Sequence, residues 1–402
     1  MVNDSPEELK NQLNLKDLEL NSLLEITQAI NTNMPEEALY KIYHFTLIAN
    51  LNIKKLALFV LDGEWECKVN YGTEKQYKHK KLTEEILAIN RIANIKPNTE
   101  DFGEFDIVIP VAHKSNLLAY ILIGGGEKKE ELNMSFVQTF TNIIIVAIEN
   151  KKLARKELAQ QALRRELEIA KDVQSFLFPK NLPDSLHVEI KSSYYPHDSI
   201  GGDYYDYIKL DEDSFIVCIA DVSGKGIPAA LLMSNFQASL RILVRHNSDL
   251  KQIIKELNQL ILENAKGERF ITFFIALINT KEKTVKYINA GHNPPIFISN
   301  KEIRPLDKGT TILGVFNKLP TINEQEIKYS GNSMLFAYTD GLTETSNEES
   351  EEYGIERLEK YLTDNYNLDL EKIHSSLYEE LNKFRGTVRF PDDITYLSCI
   401  IS

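Results

Sequence analysis

The sequence predicts an α+β protein with two sheet-containing halves joined by a helix. In the first half, helical patterns bracket a group of strand-like apolar runs. Residues 151–178 between the halves contain neither glycine nor proline. In the second half, aspartates border the apolar runs. A chain of 402 residues is long enough for two or three domains, each with its own core.

Two helices are predicted at the start of the first half. Residues 1–19 form a polar segment, and the first helix follows it, with an apolar face made by Leu20, Leu23, Leu24, Ile26 and Ile30. The second helix spans residues 36–50, directly after Pro35. Both helices are predicted to be amphipathic.

Strand-like runs follow at residues 55–61, 65–70, 106–112 and 117–124, and a helix over 133–150 closes the unit. In this order, residues 20–150 resemble a GAF sensor domain. The resemblance is architectural: neither the Asn-Lys-Phe-Asp-Glu signature of cyclic-nucleotide-binding relatives nor a pigment-attachment cysteine is present. It therefore implies no particular ligand, and a ligand-free dimerisation module is the alternative.

Residues 151–178 are predicted as a helical linker that ends before Pro179. Leu163, Leu167, Ala170, Val173 and Leu177 share one helical face, while Gln160 and Gln174 interrupt a regular heptad. Two arrangements remain open. The helix pairs with a second copy as a parallel coiled coil, which predicts a homodimer through sensor and linker, or it docks on its own C-terminal domain.

Aspartates mark the C-terminal strands. The apolar run 214–220 leads into Asp221 and the run 333–339 into Asp340, whereas Asp392 and Asp393 precede the run 394–401. If the last strand runs antiparallel to the others, these acids meet at one sheet edge. Clustered carboxylates repel one another unless cations compensate, and oxygen ligands favour magnesium or manganese.

With Gly201-Gly202-Asp203, these segments resemble the PPM family of metal-dependent serine/threonine phosphatases, in its SpoIIE-type branch. The resemblance covers residues 167–402 and includes the segments AKDVQSFLFPKNLP, GGDYYDY, ADVSGKGIP, NAGHNPP, TDGLTE and DDIT, in the order of the family. It implies that residues 179–402 form an α-β-β-α sandwich, in which two antiparallel sheets pack face to face between helices.

The same resemblance implies the chemistry. Two divalent ions, manganese or magnesium, would bind Asp203, Asp221 and the Val222 carbonyl, and Asp340 and Asp392 would complete the second ion's ligands. Asp393 is the alternative to Asp392. A water bridging the ions would attack a phosphoserine or phosphothreonine on a partner protein, which in characterised relatives is often a STAS-domain anti-anti-sigma factor. The sequence itself identifies no substrate.

Three further residues are ambiguous. Asp206 is interpreted as a surface-loop carboxylate rather than a water-mediated ligand. His292 is interpreted as a structural turn residue, although the segment after Asp221 lacks the histidine that many eukaryotic PPM enzymes use as a general acid. Lys225 is expected to be solvated rather than to contact a substrate phosphate.

Charge and hydropathy restrict the remaining possibilities. The net charge of −13, without a long basic stripe, argues against nucleic-acid binding. No apolar run approaches the roughly 20 residues that cross a bilayer, so we expect a cytoplasmic protein with no membrane span. The three cysteines, Cys67, Cys218 and Cys399, are scattered and are expected to be buried.

Two other functional classes fit the sequence less well. The Gly-Gly-Asp run resembles the Gly-Gly-Asp-Glu-Phe turn of diguanylate cyclases, but Tyr204-Tyr205 replaces Glu-Phe, and a cyclase explains neither Asp340 nor Asp392. A catalytically silent binding or scaffold protein with the phosphatase fold is the second alternative. Retention of the four proposed metal acids argues against it.

Overall fold

The computed structural model describes residues 6–51, 53–95, 101–113, 116–125, 133–197 and 200–402. The chain divides into two compact units, Met1–Gln161 and Ala162–Ser402. The division falls inside a long helix, within the predicted linker 151–178.

The first unit is built on one antiparallel sheet with the strand order β2-β1-β5-β4-β3. Its helices are α1 (Pro6–Asn31), α2 (Glu36–Leu51), α3 (Glu84–Leu87) and the start of α4 (Met134–Ser175). Its strands are β1 (Lys55–Asp62), β2 (Glu64–Tyr71), β3 (Ala93–Asn94), β4 (Ile107–His113) and β5 (Asn116–Gly124). The four predicted strands are present, each within one residue of its predicted limits.

The two faces of this sheet are covered differently. One face packs against α1, α2 and α4 through a core that includes Tyr43 and Phe140. The other face carries an aromatic cluster in which Tyr77 and Phe102 contact strand residues such as Phe59. The antiparallel sheet with helices before and after it is the α+β arrangement that the sequence predicts, and the structure adds that these helices cover one face.

Two helix boundaries differ from the prediction. Helix α1 begins at Pro6, so the segment placed at 1–19 is largely helical: proline is favoured in a first helical turn, and no glycine or proline follows until Pro35. The helices predicted at 133–150 and 151–178 are one 42-residue helix, α4, which ends at Ser175 rather than Phe178. Helix-forming residues continue through position 150, so nothing interrupts the backbone there.

The second unit contains two facing sheets, with the orders β13-β10-β9-β8-β7, where β14 also pairs with β10, and β12-β11-β15-β16-β6. Its helices are α5 (Ile227–His246), α6 (Leu250–Ala265), α7 (Asp340–Thr343), α8 (Gly354–Asn365) and α9 (Leu370–Arg385). Its strands are β6 (Val188–Tyr195), β7 (Tyr204–Lys209), β8 (Ser214–Val222), β9 (Ile271–Asn279), β10 (Thr284–Ala290), β11 (Ile296–Ser299), β12 (Glu302–Pro305), β13 (Gly309–Thr310), β14 (Gln325–Lys328), β15 (Ser333–Tyr338) and β16 (Ile394–Ile401).

Three apolar layers hold this unit together. Helices α5 and α6 pack on the first sheet through residues such as Phe236 and Leu257. The sheets meet through a second layer that includes Phe274 and Leu397, and α8 and α9 cover the outer face of the second sheet. The α-β-β-α sandwich is therefore confirmed.

The strand directions bring the predicted acids to one end of the sandwich. Strands β15 and β16 are antiparallel, with Tyr338 opposite Tyr396, so Asp340 and Asp392 emerge at the same end of their sheet. Strand β8, which leads into Asp221, lies in the other sheet. The expectation of a single sheet edge is therefore wrong: the acids meet where the ends of two facing sheets come together.

Helix α5 is the one helix in the described ranges with the length and hydropathy of a membrane span. Some of its apolar side chains, including Met233 and Leu240, belong to the core of the second unit, as in the core helix of a globular domain. Cys218 and Cys399 are buried as expected, whereas Cys67 is only partly buried.

Candidate functional site

The loop before β7 places Asp203 at the centre of the acidic cluster. Its carboxylate is 2% exposed, and Oδ2 accepts hydrogen bonds from the hydroxyl of Thr339, at 2.9 Å, and from that of Thr395. These threonines come from β16 and from the end of β15, so the second sheet fixes a carboxylate that belongs to the first.

Two glycines allow the backbone to approach this closely. A Cβ atom on Gly201 would lie 2.1 Å from both Asp393 Oδ2 and the Tyr194 hydroxyl oxygen. A Cβ atom on Gly341 would lie 2.1 Å from the Asp393 carbonyl oxygen. Only glycine fits at either position, because real Cβ contacts are not this short.

Asp392 and Asp393 have different environments. Asp393 Oδ1 accepts the amide N–H of His197 at 2.8 Å, and Oδ2 accepts that of Gly202 at 2.9 Å. Asp392 is more exposed, and its Oδ2 lies 3.0 Å from Lys225 Nζ. Asp392 Oδ1 accepts the Asp393 N–H at 2.8 Å. Asp393 thus holds the loop that carries Asp203, whereas Asp392 Oδ2 contacts an exposed lysine side chain. Lys225 is exposed but ion-paired, which the sequence did not predict.

Asp221 and Asp340 complete the cluster and interact electrostatically. Burial, followed by the nearby Asp340 and Asp392 carboxylates, raises the pKa of Asp221 to about 7. Burial and Asp392 also raise the pKa of Asp340, and burial with Asp221 raises that of Asp203. The raised pKa values of Asp203, Asp221 and Asp340 show that carboxylates from both sheets share one electrostatic environment.

The peptide between Val222 and Ser223 has a fixed orientation. The Ser223 N–H donates to the Phe270 carbonyl at 2.9 Å, and the Phe270 N–H donates to Ser223 Oγ at 2.8 Å. In a trans peptide the carbonyl points away from the N–H, so the Val222 oxygen is directed away from β9. A Cβ atom on Gly202 would lie 2.9 Å from it, which places this oxygen beside the loop that carries Asp203.

The donor set fits hard divalent cations, because carboxylates and one carbonyl provide only oxygen. Among the described residues, no three acidic, histidine or cysteine side chains are grouped so that they could hold a metal ion. Mg²⁺ commonly binds through one or two carboxylates and keeps several waters. The residues present therefore fit such ions with one or two carboxylates per ion and water as the remaining ligands.

Asp206 is not a surface-loop carboxylate, so that interpretation was wrong. It lies within β7, its side chain is fully buried, and Arg241 of α5 donates Nε to Oδ2 at 2.7 Å and a second N–H to Oδ1 at 2.9 Å. The Tyr204 hydroxyl also donates to Oδ2. The alternation of the strand buries Tyr204 and Asp206 on the same face, and Arg241 supplies the counter-charge.

His292 is buried among structural hydrogen bonds. Its Nδ1 lies 2.8 Å from Thr272 Oγ1, and its backbone N–H donates to Asn289 Oδ1 at 2.8 Å. Asn289 Nδ2 in turn donates to the His292 carbonyl at 3.0 Å. Burial lowers the pKa of the imidazole to about 4, so the ring is neutral near pH 7.

We expect His292→Gln to lower stability by about 1–3 kcal/mol, the cost of disturbing a buried hydrogen-bonded group, and to change kcat by less than about threefold. A depressed histidine pKa contributes stability that is present above pH ~6.5 and lost as pH falls towards 4. The variant should therefore be less acid-sensitive in thermal melts. A pH–rate profile that loses one limb with unchanged melting would instead identify the imidazole as the general acid.

Sequence reasoning missed the two threonines that orient Asp203. Thr339 precedes Asp340, and Thr395 lies two residues after Asp393, inside segments that carry the resemblance. Threonine is common in strands, so the residue type gave no separate signal. Their recurrence beside the strand-terminal acids was the available indication.

The stage II sporulation protein E (SpoIIE) family model matches residues 211–400. This stretch contains Asp221, Asp340, Asp392 and Asp393, and Asp203 lies just before it. The match confirms the resemblance of the C-terminal half to SpoIIE-type phosphatases.

Two curated relatives extend the comparison towards the N-terminus. The phosphoserine phosphatase RsbU of Bacillus subtilis (strain 168) is 27% identical over 331 residues, which cover 81% of this chain and 88% of RsbU. Protein IcfG of Synechocystis sp. is 28% identical over 308 residues, which cover 69% of this chain. The match spans 47% of the IcfG sequence, about half its length.

A solved structure supports the fold independently. The SiaA-PP2C domain of Pseudomonas aeruginosa superposes with a TM-score of 0.53 at 21% identity and covers 60% of this chain and 97% of that domain. At this identity the similarity concerns the fold alone. The C-terminal half thus has a PP2C-type phosphatase fold.

Proposed function

We propose that this chain, through its SpoIIE-type domain, is a metal-dependent protein serine/threonine phosphatase that hydrolyses phosphoserine or phosphothreonine on a partner protein. The observation that carries the proposal is the meeting of Asp203, Asp221, Asp340 and Asp392 from two facing sheets. A fold without chemistry to perform has no need for buried, mutually repelling carboxylates.

The two ions are manganese or magnesium, held by Asp203, Asp221, Asp340, Asp392 and the Val222 carbonyl. When bound, such ions activate water and neutralise charge that develops on the phosphoryl group. Asp392 is assigned as the ligand in preference to Asp393, because both oxygens of Asp393 accept backbone N–H groups. Asp392 accepts one backbone N–H, and its Oδ2 contacts the exposed Lys225 side chain, which an ion can displace more easily than a backbone group. Thr339 and Thr395 orient Asp203, and Asp393 holds the Gly201-Gly202 loop.

The substrate is a phosphorylated protein, and a STAS-domain anti-anti-sigma factor is the proposed partner class. Similarity to RsbU, whose name describes a phosphoserine phosphatase, over 81% of the chain supports phosphoserine as the substrate residue. The net charge of −13 disfavours nucleic acid as a partner. The reaction is assigned to the cytoplasm.

The first unit, with its sensor range at 20–150, is proposed as a GAF-like regulator. The sheet face opposite α1 and α2 is filled by Tyr77, Phe102 and Phe105. This packing favours a ligand-free dimerisation module over a small-molecule receptor. Leu163, Ile169 and Val173 are exposed on α4 and support a homodimer through the linker, because pairing with the α4 helix of a second copy would remove these apolar side chains from water.

The linker 151–178 is proposed to transmit regulation to the catalytic domain 179–402. Within the second unit, the end of α4 contacts the active-site loop: Gln174 Nε2 donates to the Gly201 carbonyl at 2.9 Å. Gln237 of α5 donates to the Leu177 carbonyl at 3.3 Å. A rotation or shift of α4 would therefore disturb the loop two residues before Asp203.

We expect activity to depend on the phase of insertions after Gln160. Two residues rotate the downstream helix by about 200°, whereas four residues nearly restore the phase, at 3.6 residues per turn. The two-residue insertion should change phosphatase rate and Mn²⁺ affinity, and the four-residue insertion should resemble wild type. Oligomeric mass is measured alongside; if all insertions behave like wild type, the helix is only a tether.

The alternative function is a catalytically silent scaffold in a signalling switch. Hydrolysis of p-nitrophenyl phosphate, with Mn²⁺ or Mg²⁺ added and with EDTA as the control, separates the two. A phosphatase should hydrolyse p-nitrophenyl phosphate when the metal is added and should not hydrolyse it in EDTA. A scaffold should be inactive under both conditions.

A further inference from the structure

Five apolar side chains near the acidic cluster are exposed to solvent. They are 37% to 62% exposed, and we call them the apolar rim: Ile227, Leu231, Phe270, Val315 and Phe316. Exposed apolar groups scattered singly need no explanation, but a concentration of them marks a surface for interaction.

Strand pairing places the rim beside the active-site loop. Phe270 pairs with Ser223, two residues beyond Asp221, through both of its backbone groups. On the other side of β9, Ile271 pairs with Leu313, and a Cβ atom on Gly314 would lie 3.1 Å from the Arg269 carbonyl. Because these segments run antiparallel, Val315, the next residue after Gly314, lies beside Arg269 and Phe270. Ile227 begins α5 at the end of the same active-site loop.

Asn258 of α6 fixes the turn that carries Val315 and Phe316 through two hydrogen bonds. Asn258 of α6 is 3% exposed; its Oδ1 accepts the Gly314 N–H at 2.9 Å, and its Nδ2 donates to the Phe316 carbonyl at 2.9 Å. A buried side chain thus fixes both ends of a turn whose own apolar side chains face water. Such a surface is already organised for binding, so little conformational entropy is lost on contact.

We infer that the apolar rim is the docking surface for the phosphoprotein substrate. An apolar patch on the substrate protein contacts the rim while the phosphoserine of the same protein enters the acidic cluster. This inference rests on the proposed function. Ser223 lies about 7 Å beyond Asp221 along the strand, at roughly 3.3 Å per residue. One partner's share of a typical interface is about 800 Å², a disc with a radius of roughly 16 Å.

The geometry favours a substrate over a second copy of this chain. A folded protein whose phosphoserine reaches Asp221 must cover the rim, because the rim begins within that radius. A second copy seated on the rim would, for the same reason, cover the cluster and block turnover. A small substrate such as p-nitrophenyl phosphate enters the cluster without touching the rim.

The test replaces Leu231, Val315 and Phe316 by serine in the full chain. The substrates are p-nitrophenyl phosphate, the serine-phosphorylated STAS-domain proteins of the source organism, and short phosphoserine peptides cut from those proteins. We expect the triple variant to lose tenfold or more in kcat/KM on the phosphoprotein, mainly through KM. Rates on the peptides and on p-nitrophenyl phosphate should stay within about twofold of wild type, because the catalytic groups are untouched.

Ile242→Ser is the matched control. Ile242 is 58% exposed on the same helix, about 22 Å from Ile227 at 1.5 Å per residue, and should have no effect on any substrate. Three outcomes would overturn the docking surface. The wild-type kcat/KM could be no higher for any STAS phosphoprotein than for its peptide. The triple variant could keep the wild-type kcat/KM on the phosphoprotein, or its kcat/KM could fall by the same factor on all substrates. A smaller oligomeric mass in the variant would identify a self-association surface instead. Absence of Mn²⁺-dependent p-nitrophenyl phosphate hydrolysis in wild type would contradict the proposed function itself.

Discussion

Asp340→Asn is expected to abolish turnover and leave the fold intact. Asparagine keeps the size of the side chain and one oxygen, but it removes the charge that a divalent ion requires. Mutation of a residue that hydrogen-bonds to a metal ligand typically lowers metal affinity or activity by about 10–100-fold. Loss of a ligand itself should therefore lower the turnover rate by more than about 100-fold. Phosphate release and Mn²⁺ affinity are measured together, and both should fall.

The same substitution should raise the stability of the metal-free protein at pH 8. The folded-state pKa of Asp340 is raised by burial and by Asp392, so ionisation of this cluster destabilises the fold above that pKa. Removing one charge relieves the repulsion, and the thermal midpoint in EDTA should increase. The gain should shrink as pH falls and the carboxylates take up protons.

Asp364→Asn is the matched control for both measurements. Asp364 is an exposed carboxylate on α8, and its substitution should change neither turnover nor melting. Near-wild-type turnover in Asp340→Asn would remove Asp340 from the proposed ligands, and equal effects of the two substitutions would mean that only net charge matters.

Asp206→Asn should cause the largest loss of stability, about 3 kcal/mol. Removing one partner of a buried ion pair typically costs 3–5 kcal/mol, and the lower value applies because the Arg241 side chain is 38% exposed. Asp206 also accepts from Tyr204 and from the Tyr207 N–H, so several donors lose an anionic acceptor. Urea unfolding of the full chain gives the free energy of unfolding, and hydrogen exchange in β7 and α5 locates the loss.

The double variant Asp206→Leu/Arg241→Met tests the physical reason. Replacing a whole buried ion pair by apolar groups is often neutral, so the double variant should be more stable than Asp206→Asn. If Asp206→Asn unfolds like wild type, the ion pair does not hold α5 against β7. If the double variant is no better than the single one, the cost is steric rather than electrostatic.

Local sequence patterns were sufficient for seven strands, among them β8, β15 and β16, and for the acids that border those three. They did not predict the other strands of the second unit, such as β6, β9 and β10. Apolar runs such as 394–401 correspond to their strands residue by residue, because buried strands need continuous apolar sequence. The same patterns could not assign strands to sheets. Asp221 and Asp340 come from different sheets, and this follows from long-range pairing that no local window contains.

Asp206 was misassigned because a local pattern was given too much weight. Its segment begins with two glycines and an aspartate, an ordinary turn signal, and the turn was extended too far along the chain. The alternation of Tyr204, Asp206 and Ile208 indicates a strand, but a buried carboxylate is expected only if a counter-charge is known. That charge, Arg241, lies 35 residues away on a helix.

Asp392 and Asp393 could not be separated from the sequence, because adjacent identical residues carry identical propensities. The structure separates them by their hydrogen bonds: Asp393 accepts two backbone N–H groups from other segments, His197 and Gly202, whereas Asp392 accepts the N–H of Asp393 and is half-exposed beside Lys225. The distinction depends on where the folded chain places the His197 and Gly202 N–H groups.

Binding of Mn²⁺ to the chelator-stripped full chain, followed in parallel with phosphate release from a phosphoserine peptide, tests the central claim most directly. The account predicts no release from the stripped protein, two ions bound per chain, and a rate that rises with occupancy. Full phosphate release by protein that retains no divalent metal would contradict it.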